Sequence, residues 1–132
     1  MLSPASAEAA VARILIAEDE KPVRTLITRA RAEEGHFVVA TADGTEALDI
    51  LQREGGNFDL LLADIKMPVM DCIARAVARD FPDLPILLMT GYADQRERVS
   101  GLEALICDVI AKPFALAEIK FAVASAVAKG RR

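Results

Sequence analysis

Four short apolar segments of this chain each run directly into side chains that could do chemistry. In chain order these residues are Glu18, Asp19, Glu20, Asp64, Thr90 and Lys112. Neighbouring carboxylates repel one another unless they share protons or a cation neutralises them. An all-oxygen carboxylate site with open positions suits Mg²⁺, which also binds phosphate oxygens. The threonine hydroxyl and the lysine ammonium would bind the same oxygens, so this set of groups favours phosphoryl transfer to an aspartate.

Each of these side chains also has an ordinary structural interpretation when taken alone. Asp19 or Glu20 could cap a helix, and Asp64 could form an Asx turn. Thr90 could simply end a strand, and Lys112 could be a solvated surface lysine. What favours a site is the joint pattern, in which four of five predicted strands end in a polar functional group.

Five apolar runs are predicted to be strands, and helix-length amphipathic segments follow them in strict alternation. The predicted strands are 13–17, 37–42, 60–63, 86–89 and 109–111. Continuous apolar strands indicate a parallel sheet covered on both faces. The predicted fold class is therefore α/β, a flavodoxin-like (βα)5 doubly wound five-stranded parallel sheet of order 2-1-3-4-5. Its strand ends would gather the polar groups along one edge.

Local signals place the predicted helices. Pro22 and Gly35 bound the first helix, residues 43–45 cap the second, and a fourth is predicted within 94–104, weakened by Gly101. The apolar positions of the third and fifth helices are Ile73, Val77 and Phe81, and Leu116, Ile119, Val123, Ala126 and Val127.

Length and composition indicate one globular domain. The chain has 132 residues and a net charge of −4, which gives no basic footprint for nucleic acid. No apolar run is long enough to span a membrane, and the start lacks the features of a signal peptide, so we expect a cytoplasmic protein. The predicted organisation is a flexible N-terminal extension at 1–11, one domain at 12–128 and a short basic tail at 129–132.

Other phosphate-binding sites fit the sequence less well. Neither a GxGxxG nor a Walker A motif follows the first strand. A flavin site would want hydroxyls where this chain has three acidic residues, 18–20. A phosphatase of the haloacid dehalogenase type uses Asp-x-Asp, and here the second position is Lys66, which removes the general acid.

Four motifs resemble the receiver domain of bacterial two-component response regulators over residues 12–128. They are "ILIAEDE", "DLLLADIKMPVMD", "ILLMTGY" and "AKPF". The residues of these motifs are most similar to those of small stand-alone receivers of the CpdR type. A chemotaxis-type motor regulator and a phosphorelay shuttle are the alternatives to that narrower likeness.

The resemblance implies a role for each site residue. Asp64 would accept a phosphoryl group from a histidine kinase or histidine phosphotransfer protein. Mg²⁺ would be held by Glu18, Asp19, Asp64 and the backbone carbonyl of Lys66. Lys112 would bind the phosphoryl oxygens.

Further positions would carry the switch and tune the phosphoryl lifetime. Thr90 would move in to contact the phosphoryl group, and Gly91 would keep the approach open. Pro113 would follow Lys112 through a cis bond. Lys66 and Tyr92 occupy the positions that tune dephosphorylation, and the Tyr92 ring is expected to lengthen the phosphoryl lifetime.

Three departures from the family pattern stand out. Val109 replaces the usual aromatic residue, so the usual coupling of an aromatic flip to threonine movement is missing. Cys72 replaces a glycine and is interpreted as a packing residue. The interval from Asp64 to Thr90 is about two residues short, which predicts that the third helix or its entry is shortened.

The predicted function is that of a single-domain response regulator that signals through phosphorylation-dependent protein–protein interaction. It would catalyse its own Mg²⁺-dependent phosphorylation and dephosphorylation, without a separate enzymatic output domain. A phosphorylation-independent pseudo-receiver docking module is the alternative, and a fragment of a hybrid kinase is a third interpretation. We expect no nucleic-acid or membrane partner, and a monomer or weak homodimer.

Overall fold

A computed structural model of the protein describes residues 12–67, 69–91, 99, 101–112 and 115–130. The predicted extension at 1–11, Tyr92, Pro113 and most of the predicted fourth helix lie outside the described residues.

All five predicted strands form, and they make one parallel sheet in the order β2-β1-β3-β4-β5. The predicted fold class is therefore confirmed, with strand boundaries shifted by one residue at most. The strands are β1 (Arg13–Ala17), β2 (Phe37–Thr41), β3 (Leu60–Asp64), β4 (Ile86–Thr90) and β5 (Asp108–Ala111).

Four helices of eight residues or more lie within the described ranges, and local sequence explains where they begin and end. Pro22 stands in the first turn of the first helix, and Gly35 follows its end with a φ of 90°. Asp43 caps the second helix by accepting a hydrogen bond from the Thr45 backbone N–H at 2.8 Å. The helices are α1 (Lys21–Glu33), α2 (Gly44–Arg53), α3 (Met70–Asp80) and α4 (Leu116–Gly130).

Three predicted helix limits need correction. Phe81 lies just past the end of α3 instead of on its face, although Ile73 and Val77 are buried as predicted. The segment predicted as the fourth helix includes 101–104, yet Gly101 has a φ of 88°, which favours glycine, and turns follow it. At the C-terminus α4 continues through Lys129 and Gly130, which the sequence placed in a separate tail.

The sheet separates two apolar layers, and its central strands are fully buried. Every residue of β3 and β4 is buried. Leu61 and Ala63 face the layer formed with α2 and α3, whereas Leu60 and Leu62 face the layer that includes α4 side chains. β3 thus holds its last residue, Asp64, at the end of an element that is packed on both faces. None of the helices within the described ranges is both long and apolar enough to cross a membrane.

Val69 carries backbone strain in the loop that follows β3. Its φ of 54° puts a β-branched residue in the left-handed region, directly before α3. Its side chain is 54% exposed, so packing does not compensate. Left-handed backbone costs a non-glycine residue about 1–2 kcal/mol, whereas glycine costs about 0.5–1 kcal/mol in unfolded-state entropy.

We therefore expect Val69→Gly to stabilise the fold by roughly 0.5–1 kcal/mol in urea unfolding. Val109→Gly is the matched control, because Val109 is also exposed but lies in extended strand β5. That control should destabilise the protein by a similar amount. A loss of stability in Val69→Gly would show that the loop does not strain the valine.

Candidate functional site

The carboxyl ends of four neighbouring strands, β1, β3, β4 and β5, bring the predicted site residues to one edge of the sheet. Ala17 at the end of β1 pairs with Ala63, and Asp64 pairs with Met89. Because the strands are parallel and in register, residues that follow β1 and β3 emerge side by side. This edge lies where the strand order reverses, between β1 and β3, which is the position at which open α/β sheets bind ligands.

The Lys112 ammonium lies at the centre of the site. Its Nζ atom is 2.8 Å from Asp64 Oδ2, 2.7 Å from Glu18 Oε1 and 3.4 Å from Glu20 Oε1. The backbone N–H of Lys112 donates to the Thr90 carbonyl at 2.6 Å, which extends the β4–β5 pairing to the lysine. Lys112, Asp64 and Glu18 were all predicted for this site, and the structure brings them together.

Asp64 and Glu18 are almost fully withdrawn from solvent. Asp64 is 1% exposed, and its second oxygen, Oδ1, accepts a hydrogen bond from the Lys66 backbone N–H at 2.8 Å. Glu18 is 0% exposed, and its Oε2 accepts from the Glu20 backbone N–H at 3.1 Å. Buried carboxylates need such partners, because an unpaired charge in the interior costs several kcal/mol.

Two further residues support the site: Glu20, which the sequence placed in the acidic set without a ligand role, and Arg24, which the sequence did not identify. Glu20 Oε1 lies 3.1 Å from Lys66 Nζ, so an exposed ion pair joins the loops after β1 and β3. Arg24 donates from Nη1 to the Glu18 carbonyl at 2.9 Å. The spacing of Arg24, one helical turn into α1, is the only sequence signal for this contact, and it is not specific.

The acidic residues form a group that fits a metal ion. One carboxylate oxygen from each of Glu18, Asp19, Glu20 and Asp64 lies within 4.8 Å of the others. Hard oxygen donors at this spacing suit a divalent cation of the Mg²⁺ type. Three of the four were predicted as ligands. The Lys66 carbonyl as a ligand stays a prediction.

The charges shift one another's pKa values in opposite directions. Burial raises the pKa of Glu18 to about 7, although hydrogen bonds from Lys112 and the Glu20 backbone oppose the rise. Burial would also raise the pKa of Asp64, but hydrogen bonds from Lys112, the Lys66 backbone and Glu18 outweigh it and lower that pKa. Asp64 is therefore the carboxylate that stays ionised, and Glu18 is the one that can hold a proton beside it.

The predicted switch residues lie next to this cluster. Thr90 is the last residue of β4 and is 7% exposed, with Gly91 directly after it. Thr90 pairs with Ala111, and Val109, two residues earlier in β5, pairs with Leu88. Val109 is 38% exposed. Cys72 is exposed and unpaired in α3, so the packing role predicted for it is wrong.

The sequence model of the response regulator receiver domain matches residues 14–124. The chain therefore belongs to the family of two-component response regulator receiver domains, as its motifs predicted.

Curated relatives include Response regulator MprA of Mycobacterium avium (strain 104), which is 38% identical over 109 residues. MprA of Mycobacterium tuberculosis (strain ATCC 25618 / H37Rv) is also 38% identical over 109 residues. The matches cover 81% of this chain but 47% and 46% of these relatives. The chain thus spans about half the length of the curated relatives it matches.

Solved structures share the fold. A response regulator receiver domain protein from Clostridium thermocellum superimposes with a TM-score of 0.82 at 22% identity, covering 91% of this chain and 97% of that one. The receiver domain of sensor histidine kinase PA1611 from Pseudomonas aeruginosa PAO1 has a TM-score of 0.78 at 28% identity, covering 89% and 98%. That protein was crystallised with a magnesium ion coordinated in its active site cleft.

The raised pKa of Glu18 predicts a pH-dependent stability in the presence of a chelator. Its pKa in the fold, about 7, lies above the usual 4.5, so the folded protein holds this proton more tightly than the unfolded chain does. The stability from Glu18 is full below pH 4.5 and is lost as the pH rises through about 7. Urea unfolding should show a fall of about 2–3 kcal/mol between pH 5 and pH 8.

Glu18→Gln should abolish most of this fall and should be more stable than wild type at pH 8. Glu20→Gln is the matched control, because Glu20 is half-exposed and hydrogen bonds from Lys66 and Lys112 lower its pKa. That control should keep the wild-type pH profile. An unchanged profile in Glu18→Gln would mean that Glu18 is not the group that titrates.

Two lysines of the site allow the stability contributed by a buried ion pair to be compared with that of an exposed ion pair. Removing the ammonium in Lys112→Met leaves the buried Asp64 and Glu18 without a counter-charge, so we expect a loss of about 2–4 kcal/mol in chelator. Added Mg²⁺ should recover part of it. Lys66→Met removes an exposed pair with Glu20 and should cost less than about 1 kcal/mol. Equal losses in the two variants would contradict this assignment.

Proposed function

We propose that the protein accepts a phosphoryl group on Asp64 from a histidine kinase or histidine phosphotransfer protein. The observation that carries this proposal is the placement of Asp64. It ends a fully buried strand, stays ionised, and lies within hydrogen-bond distance of the Lys112 ammonium and beside an acidic cluster. Membership of the receiver family supports the same conclusion.

The transfer needs positioning more than covalent chemistry from the protein. An oxygen of Asp64 attacks the phosphorus of the donor's phosphohistidine. The phosphorus–nitrogen bond breaks, an oxygen–phosphorus bond forms, and the donor leaves as free histidine. Because the Lys66 backbone N–H holds Oδ1 and Lys112 holds Oδ2, the carboxylate is oriented before the donor arrives.

Mg²⁺ would be held by Glu18, Asp19, Asp64 and the Lys66 carbonyl. When bound, the ion supplies positive charge that offsets the negative charge of the phosphoryl oxygens. The PA1611 receiver with its magnesium ion supports this assignment by similarity. Glu20, the fourth residue of the cluster, is paired with Lys66 at the exposed rim.

Lys112 and Thr90 would bind the oxygens of the phosphoryl group. Lys112 can exchange its carboxylate contacts for phosphoryl oxygens, since its ammonium keeps its charge: the two carboxylates raise its pKa despite burial. The Thr90 hydroxyl would donate to the same oxygens. Any backbone movement at Thr90 reaches Lys112 through the 2.6 Å hydrogen bond between them. Tuning by Gly91, Tyr92, Val109 and Pro113 stays a prediction from the resemblance.

We propose that a partner protein recognises the phosphorylated state of this protein at the β5 edge of the sheet. Val109 exposes 38% of its surface there, in the strand that lies two strands from β3 and Asp64. The single-domain form of the predicted function, its CpdR-type pathway and a cytoplasmic location belong to the same proposal. Two unpaired cysteines, Cys72 and Cys107, fit a reducing compartment.

The direct test is the intact mass after incubation with acetyl phosphate. With Mg²⁺ we expect the gain of one phosphoryl group, and with a chelator none. Asp64→Asn should abolish the gain, whereas Asp49→Asn, on the exposed face of α2, should leave it unchanged. If the folded wild type gains nothing under any condition, the phosphoacceptor assignment is wrong and the docking-module alternative replaces it.

A further inference from the structure

A second group of charged side chains lies at the edge of the sheet opposite to Asp64, beside the amino ends of β1 and β2. Its centre is Glu34, which directly follows α1. Three nitrogen atoms converge on the Glu34 carboxylate. They are Arg31 Nε at 3.2 Å and His36 Nε2 at 3.8 Å from Oε1, and Lys120 Nζ at 3.7 Å from Oε2. We call these four residues the Glu34 cluster.

Arg31 is the only buried cationic side chain among the residues that the structure describes. It is 2% exposed and lies with Ile27 on the buried face of α1. Within the described residues its Nε and Nη1 have no hydrogen-bond partner, since the 3.2 Å ion pair with Glu34 lacks hydrogen-bond geometry. Burial lowers the pKa of Arg31, and the Glu34 charge opposes that effect. The guanidinium is therefore desolvated without being fully compensated.

Two other groups add hydrogen-bond donors to the same region. The Thr28 hydroxyl, one turn before Arg31 on α1, is also buried without a partner among the described residues. His36 Nδ1 accepts a hydrogen bond from the Ala12 backbone N–H at 2.9 Å. That nitrogen is therefore unprotonated, so a neutral imidazole carries its hydrogen on Nε2, the atom that faces Glu34. The groups around the Glu34 carboxylate are thus donors.

This donor set matches a phosphate group better than it matches a carboxylate. A carboxylate has two oxygens, and both already contact the Glu34 cluster, yet two guanidinium nitrogens stay without a hydrogen bond. A phosphate group offers three terminal oxygens in a tetrahedral arrangement and up to two negative charges. That is enough to pair with Arg31, His36 and Lys120 at once, and charge-assisted hydrogen bonds of this kind are strong.

Glu34 is placed so that an incoming anion could displace its carboxylate. The side chain is 22% exposed, and the residue lies past the end of α1. Its backbone N–H donates to the Arg31 carbonyl at 3.1 Å, which holds the main chain while the side chain changes rotamer. Lys120 is 69% exposed, so the solvent side of the cluster is the side on which this lysine lies.

We propose that Arg31, His36 and Lys120 form a phosphate-binding site whose ligand position is occupied by the Glu34 carboxylate until a phosphate group displaces it. Wild type binds weakly, because a ligand enters only when the Glu34 side chain has turned out. The site shares no residue with the Asp64 site, so the proposal stands independently of the proposed function. Inorganic phosphate and a phosphate monoester offer the same chemistry, and the experiment distinguishes them.

NMR titration of the full chain tests the proposal, because His36 is its single histidine and its imidazole signals report on this site. Inorganic phosphate is added at constant pH and ionic strength, with a chelator so that no metal ion recruits phosphate to Asp64. We expect the His36 signals to shift and to saturate at about 1–10 mM, as for a weak site. Equal shifts with the same concentrations of acetate would contradict a phosphate site.

O-phosphoserine, titrated in the same way, identifies the source of the phosphate group. If it saturates the His36 signals at lower concentration than inorganic phosphate does, the ligand is a monoester carried by a larger molecule. If it needs a higher concentration, the ligand is the free anion. Both results support the site.

Glu34→Gln should lower the dissociation constant for phosphate at least about tenfold, because the competing carboxylate is gone. Glu33→Gln is the matched control, since it makes the same charge change at the preceding, exposed residue and should bind like wild type. Adding Lys120→Gln to Glu34→Gln should weaken binding about threefold or more. Adding Lys129→Gln instead, at an exposed lysine nine residues further along α4, should not.

Three results would overturn the proposal. One is a folded Glu34→Gln variant whose His36 signals do not respond to phosphate. Another is equal phosphate affinity in Glu34→Gln and Glu33→Gln, which would mean that the Glu34 carboxylate does not occupy the site. The third is equal affinity in the two double variants, which would remove Lys120 from it.

Discussion

The Lys112 ammonium between two buried carboxylates is the interaction on which the rest of this structure depends. Asp64 and Glu18 expose 1% and 0% of their surfaces, and their charges would repel each other across the end of the sheet. Lys112 Nζ lies within 2.8 Å of both, and a backbone N–H holds the remaining oxygen of each carboxylate. The site is thus organised around charge compensation, and under the proposed function an incoming dianionic phosphoryl group would change that compensation directly.

The sheet makes this arrangement possible. β3 is packed on both faces, so Asp64 cannot move far without disturbing the core. β1 delivers Glu18 at the same level because its register with β3 pairs Ala17 with Ala63. The Glu18 side chain is long enough to reach the Lys112 ammonium, with a contact of 2.7 Å.

Much of this could be predicted from the sequence, because the signals are local and agree with one another. The apolar runs predicted the five strands, and the polar residues that follow three of these runs predicted Asp64, Thr90 and Lys112 as site residues. What the sequence could not show depends on side-chain direction. Glu20 pairs with Lys66, from a different loop, and Arg24 reaches back to the Glu18 carbonyl. Neither contact has a sequence signature, since Glu20 and Lys66 are 46 residues apart and the six-residue spacing of Glu18 and Arg24 is common in any chain.

The errors at helix ends have a related cause. Phe81 has the spacing of a helical residue after Ile73 and Val77, but the backbone turns away from the helix before it. At Gly101 a positive φ ends any helix at that point, although glycine alone only lowers helix propensity. α4 runs into the predicted tail because Lys129 is a good helix former, and a lysine in the last turn complements the helix dipole.

Under the proposed function, the position of Lys112 would direct a conformational response to the β5 side of the sheet. Lys112 follows β5, an edge strand that pairs only with β4, and three of its four residues are exposed. Its backbone is tied to Thr90, whereas its ammonium is tied to Asp64 and Glu18. If a phosphoryl group replaced the carboxylates as its partner, as the proposed function requires, the force would fall on the least buried strand, where Val109 is exposed. The central strands hold Asp64 still, so the β5 edge is the part of the sheet that is free to respond.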